Sequence, residues 1–169
     1  MPQIPPPLID EPNYLKHYTW MCQAIALAEA AGEAGEVPVG AVIVGNTGEL
    51  IATAENRRER DGDPTAHAEI LALRQAGQFL GMWQLQHCTM YVTLEPCPMC
   101  SGAAVQARLG LLVYGADDPK TGAIRTVLNL PDSKASNHRL PVLGGILEAA
   151  CRQQLQDWFA VRRSPKRFS

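Results

Sequence analysis

The chain has 169 residues, which is enough for one ordinary domain with a substantial core and too few for two domains of usual size. Hydrophobic residues make up 46% and charged residues 19%, which is the composition of a globular protein and excludes an extended disordered chain. There is no run of about 18 apolar residues, and no basic segment followed by an apolar one at the N-terminus. We therefore expect no membrane partner and a cytoplasmic location.

The cysteines and the distribution of charge narrow the class of protein further. Five cysteines, of which only Cys97 and Cys100 are clustered, indicate a reducing compartment and one metal site rather than a disulfide framework. The net charge is −2, but residues 130–169 carry seven Lys or Arg against three Asp or Glu, whereas residues 1–129 carry eight against fourteen. A basic C-terminal segment is typical of a nucleic-acid contact. From charge alone, a solvated terminal helix is the more common explanation.

Local patterns predict one domain preceded by an extension. Residues 1–12 hold five prolines and no pattern of regular structure, so they predict a mobile Pro-rich extension before a single domain over residues 13–169. Apolar residues then recur at helical spacing and predict a helix that ends near Gly32. Residues 37–44 and 50–54 are separated by a glycine-containing turn, and they predict a β-hairpin.

Helices and strands alternate in the rest of the chain. Asp63-Pro64 predicts the start of a helix that runs to about Gly77, and Pro96 predicts the start of a second helix. Three further strands are predicted, at residues 89–94, 111–114 and 140–143. The last helix is expected to pack its apolar residues on one side, namely Leu147, Cys151, Leu155, Trp158 and Phe159. This order predicts an α/β fold with three α/β/α layers, in which helices flank both faces of a single mixed five-stranded sheet.

Two short motifs carry most of the chemical information. His67-Ala68-Glu69 contains one imidazole, and Pro96-Cys97-Pro98-Met99-Cys100 contains two thiols three residues apart at a predicted helix start. That spacing puts both sulfurs on one face of a helix, where free N–H groups and the helix dipole favour thiolates. His67, Cys97 and Cys100 are therefore predicted to bind one zinc ion and to leave its fourth position open, as in a catalytic site.

Glu69 is predicted to carry protons rather than to bind the metal. It lies two residues after His67, so both side chains cannot be ligands on one narrow helical face. A carboxylate beside an activated water can take a proton from it, deliver this proton to a ring nitrogen of the substrate, and later protonate departing ammonia. The two motifs together are the established signature of zinc-dependent nucleobase deaminases.

Each motif alone permits a plainer interpretation. Cys-x-x-Cys also occurs in redox pairs and in closed structural zinc sites, for which His87 or Cys88 could supply a fourth ligand. Neither residue has a motif spacing to His67, which disfavours a closed site. A single histidine near a helix start is usually capped or exposed. His67 differs from His17, His87 and His138 because the cysteine motif accompanies it.

Beyond these motifs, the chain resembles the cytidine deaminase-like superfamily and, more closely, the bacterial tRNA-specific adenosine deaminases. The similarity extends from about Tyr18 to Arg163. It is carried by the zinc motifs and by several further segments, chiefly residues 36–42, Asn56-Arg57, residues 63–70, residues 91–97, Lys120-Thr121-Gly122-Ala123, residues 137–139 and residues 145–147. The zinc motifs are common to several deaminase families. The last three segments and the basic terminal helix are what favour the tRNA enzymes.

The resemblance implies roles for individual residues. It implies that His67, Cys97 and Cys100 bind zinc, one ion per subunit, and that Glu69 is the proton donor. It also implies contacts with the RNA substrate from six residues, namely Asn56, Asp118, Lys120, Asn137, Phe159 and Arg162. Two of these have simpler explanations, since Asn56 could be a turn residue after a strand and Phe159 could pack in the core.

The resemblance further implies a homodimer that binds the anticodon stem-loop of an arginine tRNA and hydrolytically deaminates its wobble adenosine to inosine. An anticodon loop suits this chemistry because its bases can be splayed out at little cost. Two alternatives stay open. Pro98-Met99 between the cysteines is also familiar from guanine deaminases, which use the same zinc chemistry on a free base. A non-catalytic RNA-binding subunit of a deaminase heterodimer is the second, and Glu69 counts against it.

Overall fold

The computed structural model describes residues 12–163 of the chain. The first element is α1 (Pro12–Glu33), and a hairpin of β1 (Gly40–Gly45) and β2 (Leu50–Glu55) follows it. The remaining elements in chain order are α2 (Arg58–Asp61), α3 (Ala68–Leu80), β3 (Cys88–Leu94), α4 (Pro98–Gln106), β4 (Leu111–Ala116), β5 (Val142–Gly144) and α5 (Glu148–Arg163). The predicted extension lies outside the described residues except for Pro12, which is the first residue of α1. None of the described helices is long and apolar enough to cross a membrane.

The five strands form one mixed sheet in the order β2-β1-β3-β4-β5. β1 pairs with both β2 and β3 in antiparallel orientation, which confirms the predicted hairpin. β3 and β4 are parallel, and so are β4 and β5. Every residue of β1 is buried, as expected for an inner strand that is covered on both faces.

Helices cover both faces of the sheet, and the predicted three-layer fold is confirmed. α3 and α4 pack on the face to which Met90 of β3 contributes, whereas α1 and α5 pack on the face of its neighbour Tyr91. This alternation follows from the two-residue period of a strand. α1 lies so close to β1 that a Cβ atom at Gly40 would be 2.1 Å from the carbonyl oxygen of Ala24. Only glycine fits at that position.

α3 begins later than predicted. The carboxylate of Asp63 accepts hydrogen bonds from the N–H and the hydroxyl of Thr65, both at 2.8 Å, and closes a separate turn instead of capping the helix. The chain is still extended at His67, with φ −75° and ψ 150°, and this residue is the N-cap of α3. The short helix α2, which was not predicted, occupies part of the connection from β2.

α4 also begins later than predicted. Cys97 is its N-cap and has an extended backbone, and Pro98 takes the first helical position, which proline favours. Pro96 therefore lies outside the helix, in the short segment that leaves β3. The predicted helix itself is present, and the difference of two residues places Cys97 at the helix start.

The C-terminal elements differ from the prediction in packing more than in extent. β5 spans Val142–Gly144 rather than residues 140–143. Of the apolar residues expected on one side of the last helix, only Cys151 is buried within α5. Phe159 is 40% exposed, so its interpretation as a core residue is wrong. Leu147 is buried but precedes the helix, in a left-handed conformation with φ 54°.

Four strands bring their connecting segments to one edge of the sheet. β1 begins at this edge, and β2, β3 and β4 end there, because β1 is antiparallel to β2 and β3 while β4 is parallel to β3. Four segments consequently meet there, namely residues 36–39, 56–67, 95–97 and 117–126. The carboxyl ends of parallel strands are a common place for a ligand site in α/β proteins.

Candidate active site

The three predicted metal ligands lie together at this edge and form the metal cluster (His67, Cys97 and Cys100). The Nδ1 atom of His67 is 3.7 Å from the Sγ atom of Cys97 and 3.5 Å from that of Cys100. A tetrahedral zinc with Zn–S of about 2.3 Å and Zn–N of about 2.0 Å separates its sulfur and nitrogen ligands by about 3.5 Å. The ligand atoms all lie within 4.8 Å of one another. The cluster therefore fits one tetrahedral zinc ion with a fourth position left for a non-protein ligand.

The starts of two helices place these ligands. Cys97 is the N-cap of α4 and Cys100 is the third residue of that helix. His67 is the N-cap of α3 and supplies the imidazole from the neighbouring helix start. Neither N-cap side chain makes a capping hydrogen bond to its own helix, so the imidazole and the Cys97 thiol are available to a metal.

The protonation of the cluster suits a divalent cation. The hydrogen bond with Cys100, assisted by one with His67, lowers the pKa of Cys97 to about 4. The same hydrogen bond raises the pKa of Cys100, and the hydrogen bond with Cys97 raises the pKa of His67. Without a metal ion, these pKa shifts favour one thiolate in the cluster, on Cys97. A dication would stabilise the second thiolate and the neutral imidazole, which are the metal-binding forms.

Glu69 is buried beside the metal cluster. Its side chain is 4% exposed, and it lines the same cavity as His67 and Cys97. Burial raises the pKa of this carboxyl to about 7. A carboxyl with a pKa near neutrality can both accept and donate protons at physiological pH, which general acid–base catalysis requires.

Asn56 ties one wall of this cavity to α3. Its Nδ2 group donates to the carbonyl of Val37 at 2.9 Å, and its Oδ1 atom accepts from the N–H of Ala68 at 2.9 Å. The second bond satisfies one of the free N–H groups at the start of α3 and fixes the residues on either side of Ala68, which are His67 and Glu69. Asn56 also lines the cavity, so it is more than a turn residue.

The loop after β4 forms another wall of the cavity. The carboxylate of Asp118 accepts hydrogen bonds from the N–H groups of Lys120 at 2.9 Å and Thr121 at 3.2 Å, and from the Thr121 hydroxyl at 2.9 Å. These bonds close a tight turn. Asp118 faces the cavity, whereas Lys120 is exposed beside it.

The catalytic cavity has a volume of about 120 Å³ and adjoins a groove of about 450 Å³ between this loop and α5. Four residues line both spaces, namely Val37, Leu94, Asp118 and Thr121. The groove also carries basic and aromatic side chains, from Lys120, Arg152, Phe159 and Arg163. We call it the basic groove. Three of the predicted substrate contacts, Asp118, Lys120 and Phe159, are thus brought together next to the metal cluster.

Two other predicted contact residues lie elsewhere. The guanidinium carbon of Arg162 is 3.5 Å from the ring centroid of Trp158, and the side chain lines a cleft between α1 and α5. Its neighbour Arg163 lines the basic groove in its place. Asn137 is exposed in the loop before β5 and lines neither the catalytic cavity nor the basic groove. The substrate contacts of Arg162 and Asn137 stay predictions.

Two buried carboxylates flank the cavity and were not identified from the sequence. Glu36 is 2% exposed and accepts hydrogen bonds from the N–H groups of Glu59 at 3.2 Å and Arg60 at 2.8 Å, which holds α2 in place. Glu95 is 1% exposed and accepts hydrogen bonds from the loop after β4. One available sequence signal was a charged residue at the end of an apolar strand, in Thr93-Leu94-Glu95, because a buried charge requires partners.

Glu36 gives a prediction about stability and pH. Burial acts to raise the pKa of Glu36, but hydrogen bonds from the N–H groups of Arg60 and Glu59 outweigh it, so the pKa lies below its ordinary value of 4.5. Because this pKa is lowered in the folded state, the ionised Glu36 carboxylate stabilises the fold fully at a pH above the pKa of the unfolded state. This stabilisation is lost as the pH falls through the pKa of the folded state. We expect Glu36→Gln to lower the free energy of unfolding at pH 7 by about 1.5–3 kcal/mol.

The difference in the free energy of unfolding between Glu36→Gln and the unmodified protein should shrink as the pH falls below about 4.5. Urea unfolding at pH 7, 5, 4 and 3.5 measures it. Glu59→Gln is the matched control, since that side chain is exposed in the same segment and should change stability little. A difference that stays constant across this pH range would contradict the prediction.

A three-layer α/β/α fold with this metal cluster and a buried carboxylate at the edge of its sheet defines a hydrolytic deaminase of the cytidine deaminase-like fold. The MafB19-like deaminase family matches residues 15–158. Over 148 residues the chain is 47% identical to the tRNA-specific adenosine deaminase of Bacillus subtilis (strain 168), with 88% of this chain and 91% of the relative covered. The chain belongs to the MafB19-like deaminase family. It also belongs, by its identity to this relative, to the tRNA-specific adenosine deaminases.

Solved structures agree with the fold. A structure from a study of A-to-I editing by tRNA:A34 deaminases at the wobble position of transfer RNA has a TM-score of 0.78 and 40% identity, covering 80% of this chain and 98% of that one. The guanine deaminase of Bacillus subtilis has a TM-score of 0.59 and 32% identity, covering 90% of this chain and 98% of that one. The fold therefore accommodates both substrate classes, and the tRNA deaminase is the more similar of the two.

Proposed function

We propose that this chain hydrolytically deaminates adenosine to inosine at the wobble position of an arginine tRNA, with one zinc ion in the metal cluster. The observation that carries the proposal is that the small catalytic cavity, which Glu69 lines, adjoins the basic groove and shares four lining residues with it. The relative and the neighbouring structure that act on tRNA give it independent support.

Glu69 has the position and the protonation behaviour that the reaction needs. When bound by the cluster, zinc supplies a polarised water at its open position. Glu69 takes one proton from this water and gives it to the ring nitrogen beside the carbon that bears the amine. With that water as the nucleophile at this carbon, the carbon–nitrogen bond would break as Glu69 delivers the second proton to the departing amine. Adenosine and water thereby give inosine and ammonia.

The groove beside the cavity favours an RNA substrate over a free base, while the cavity itself has room for a base from either substrate. Pockets that enclose a complete small molecule usually have about 300–1,000 Å³, and this cavity has about 120 Å³. It can take a single base, while the rest of the substrate must lie outside. The adjoining groove has the cations of Lys120 and Arg163 for phosphates and the ring of Phe159 for stacking. Its third cation, Arg152, forms an ion pair with Glu148 at 2.8 Å. A free base would use none of these groups.

One assay separates the candidate functions. Zinc-loaded protein is incubated with an arginine tRNA that bears adenosine at the wobble position, with the same tRNA bearing guanosine there, and with free guanine, adenosine and cytidine. We expect inosine only in the first tRNA. Ammonia released from guanine would establish the guanine deaminase alternative. No turnover of any substrate would favour the non-catalytic subunit.

Lys120 gives a prediction about the salt dependence of RNA binding. If its ammonium neutralises one phosphate, Lys120→Ala should weaken binding of the anticodon stem-loop and reduce the slope of log K against log salt by about 0.7–0.9. Fluorescence anisotropy between 50 and about 200 mM salt measures this slope. Lys134→Ala is the matched control, because Lys134 is exposed but lines neither the cavity nor the groove. Equal slopes for the two variants would show that Lys120 does not contact a phosphate of the RNA.

A homodimer is part of the same proposal. An apolar groove of about 620 Å³ runs between α3 and α4. Large apolar side chains beside it are exposed, with Phe79 at 70%, Met82 at 53% and Trp83 at 61%. Exposed apolar patches of this kind usually mark association surfaces. Sedimentation equilibrium should give twice the chain mass at micromolar concentration, and a monomer throughout that range would contradict the dimer.

A further inference from the structure

The carboxylate of Glu95 lies where the metal-binding segment meets the loop after β4 (residues 117–126, the β4 loop). It follows β3 and precedes Cys97 by two residues, and it also lines the catalytic cavity. Its backbone N–H donates to the carbonyl of Ala116, at the end of the neighbouring strand, at 2.8 Å. Glu95 is therefore fixed to the sheet before its side chain reaches the β4 loop.

The side chain of Glu95 accepts hydrogen bonds from four backbone groups of the β4 loop. One oxygen accepts from the N–H of Asp118 at 3.1 Å and from the hydroxyl of Thr126. The other accepts from the N–H groups of Ile124 at 3.1 Å, Arg125 at 3.0 Å and Thr126 at 3.1 Å. Both ends of the loop are thus bound to one carboxylate. Each of these N–H groups would otherwise need another partner or water.

The loop is shaped around this carboxylate. A Cβ atom at Gly122 would lie 2.5 Å from the Glu95 carboxyl and 2.6 Å from the carbonyl oxygen of Asp118, so no larger residue fits there. The N–H of Ala123 donates to the carbonyl of Pro96 at 2.9 Å, next to the metal ligand Cys97. The Lys120-Thr121-Gly122-Ala123 segment consequently has a fixed distance to the metal cluster.

We infer that Glu95 is a positioning residue that holds the β4 loop against the metal-binding segment and so sets the affinity for the RNA substrate. The inference rests on the proposed function, because the loop supplies Asp118 to the cavity and Lys120 to the basic groove. Glu95 acts through the loop and not on the reacting atoms. Its loss should therefore raise KM much more than it lowers kcat.

Glutamine is the sharpest test because it has the same shape as glutamate. An amide has one acceptor oxygen, and its NH2 group cannot accept the hydrogen bonds that the second oxygen accepts. In Glu95→Gln the oxygen can keep its three N–H partners at residues 124–126, but the N–H of Asp118 then faces another donor. The start of the loop, from Asp118 to Lys120, should be released while the zinc ligands keep their places.

The kinetic experiment compares zinc-loaded Glu95→Gln with the unmodified protein on an anticodon stem-loop bearing the wobble adenosine. We expect KM to rise about tenfold, the factor that the loss of one hydrogen bond gives, with kcat lowered by less than about threefold. Thr126→Val removes only the hydroxyl donor and should give a smaller rise in KM. Leu112→Ala is the stability control, since Leu112 is buried at the end of β4 opposite to the β4 loop and its loss should lower the melting temperature without changing KM.

Hydrogen–deuterium exchange supplies a measurement that needs no substrate. In Glu95→Gln, the amide of Asp118 should exchange faster, while the amides of α4 after Cys100 should keep their protection. Unchanged exchange in residues 117–126, or a rise in KM no larger than in Leu112→Ala, would overturn the inference. If the unmodified zinc-loaded protein does not convert the RNA, the proposed function fails, and the exchange measurement still decides whether Glu95 holds the loop.

Discussion

Replacement of Glu69 by glutamine should abolish turnover and leave the metal in place. Glutamine keeps the volume of the side chain, which is 4% exposed, but it cannot take a proton from water or return one to the leaving amine. A general acid–base step contributes roughly 10²–10⁴ in rate. Glu69 serves several transfers in the proposed reaction, so we expect kcat to fall by at least about 10⁴.

The control measurements for Glu69→Gln separate chemistry from binding. Zinc content should stay near one ion per chain, because the proposed ligands are His67, Cys97 and Cys100, and Glu69 is not among them. The dissociation constant for the anticodon stem-loop should change by less than about tenfold, since the substitution leaves the proposed RNA-binding groove intact. A variant that keeps more than one hundredth of the original kcat would show that another group carries the protons.

The metal cluster could be predicted because its information is local. Cys97 and Cys100 need only a helix start to face one ion, and Pro96 predicted that start to within two residues of its position at Pro98. The alternation of strand-like and helix-like segments was likewise sufficient for the three-layer fold, since parallel strands joined by helices can close only in a few ways. The edge at which His67 meets the cysteines follows from that topology.

The start of α3 could not be predicted in the same way. Asp63-Pro64 is compatible with a helix start and equally with the turn that Asp63 forms with Thr65. Asn56, twelve residues before Ala68, decides between them, because its side chain accepts the hydrogen bond of the Ala68 N–H. A local pattern carries no information about a partner at that distance.

The same limit explains the residues around the cavity. The hydrogen-bond partners of the Glu95 carboxylate lie 23 to 31 residues further along the chain, and only the folded loop after β4 shows that they converge. Phe159 has the helical spacing of a core residue, yet α5 contacts the sheet chiefly through Cys151, and Phe159 faces the basic groove. Periodicity predicts that a helix has an apolar face, but the packing of the folded protein determines which groups that face contacts.

Replacement of Cys97 by serine should remove both the metal and the activity. Cys97 is the ligand whose pKa the hydrogen bond with Cys100 lowers to about 4, so it offers a thiolate at every physiological pH. A serine hydroxyl is a weak zinc ligand that stays protonated, and His67 with Cys100 alone leaves two positions to water. We expect about one zinc per chain in the unmodified protein and less than about one tenth of that in Cys97→Ser after dialysis, with inosine formation at background.

Cys88→Ser is the matched control for the loss of a thiol. Cys88 is a buried cysteine at the start of β3, which is the end of that strand opposite to the metal cluster. That variant should lose some stability and keep its zinc, whereas Cys97→Ser should lose zinc and also the part of the melting temperature that zinc binding supplies. A chelator should therefore lower the melting temperature of Cys88→Ser but not that of Cys97→Ser. Zinc retained in Cys97→Ser, or an equal response of both variants to the chelator, would place the metal at other residues.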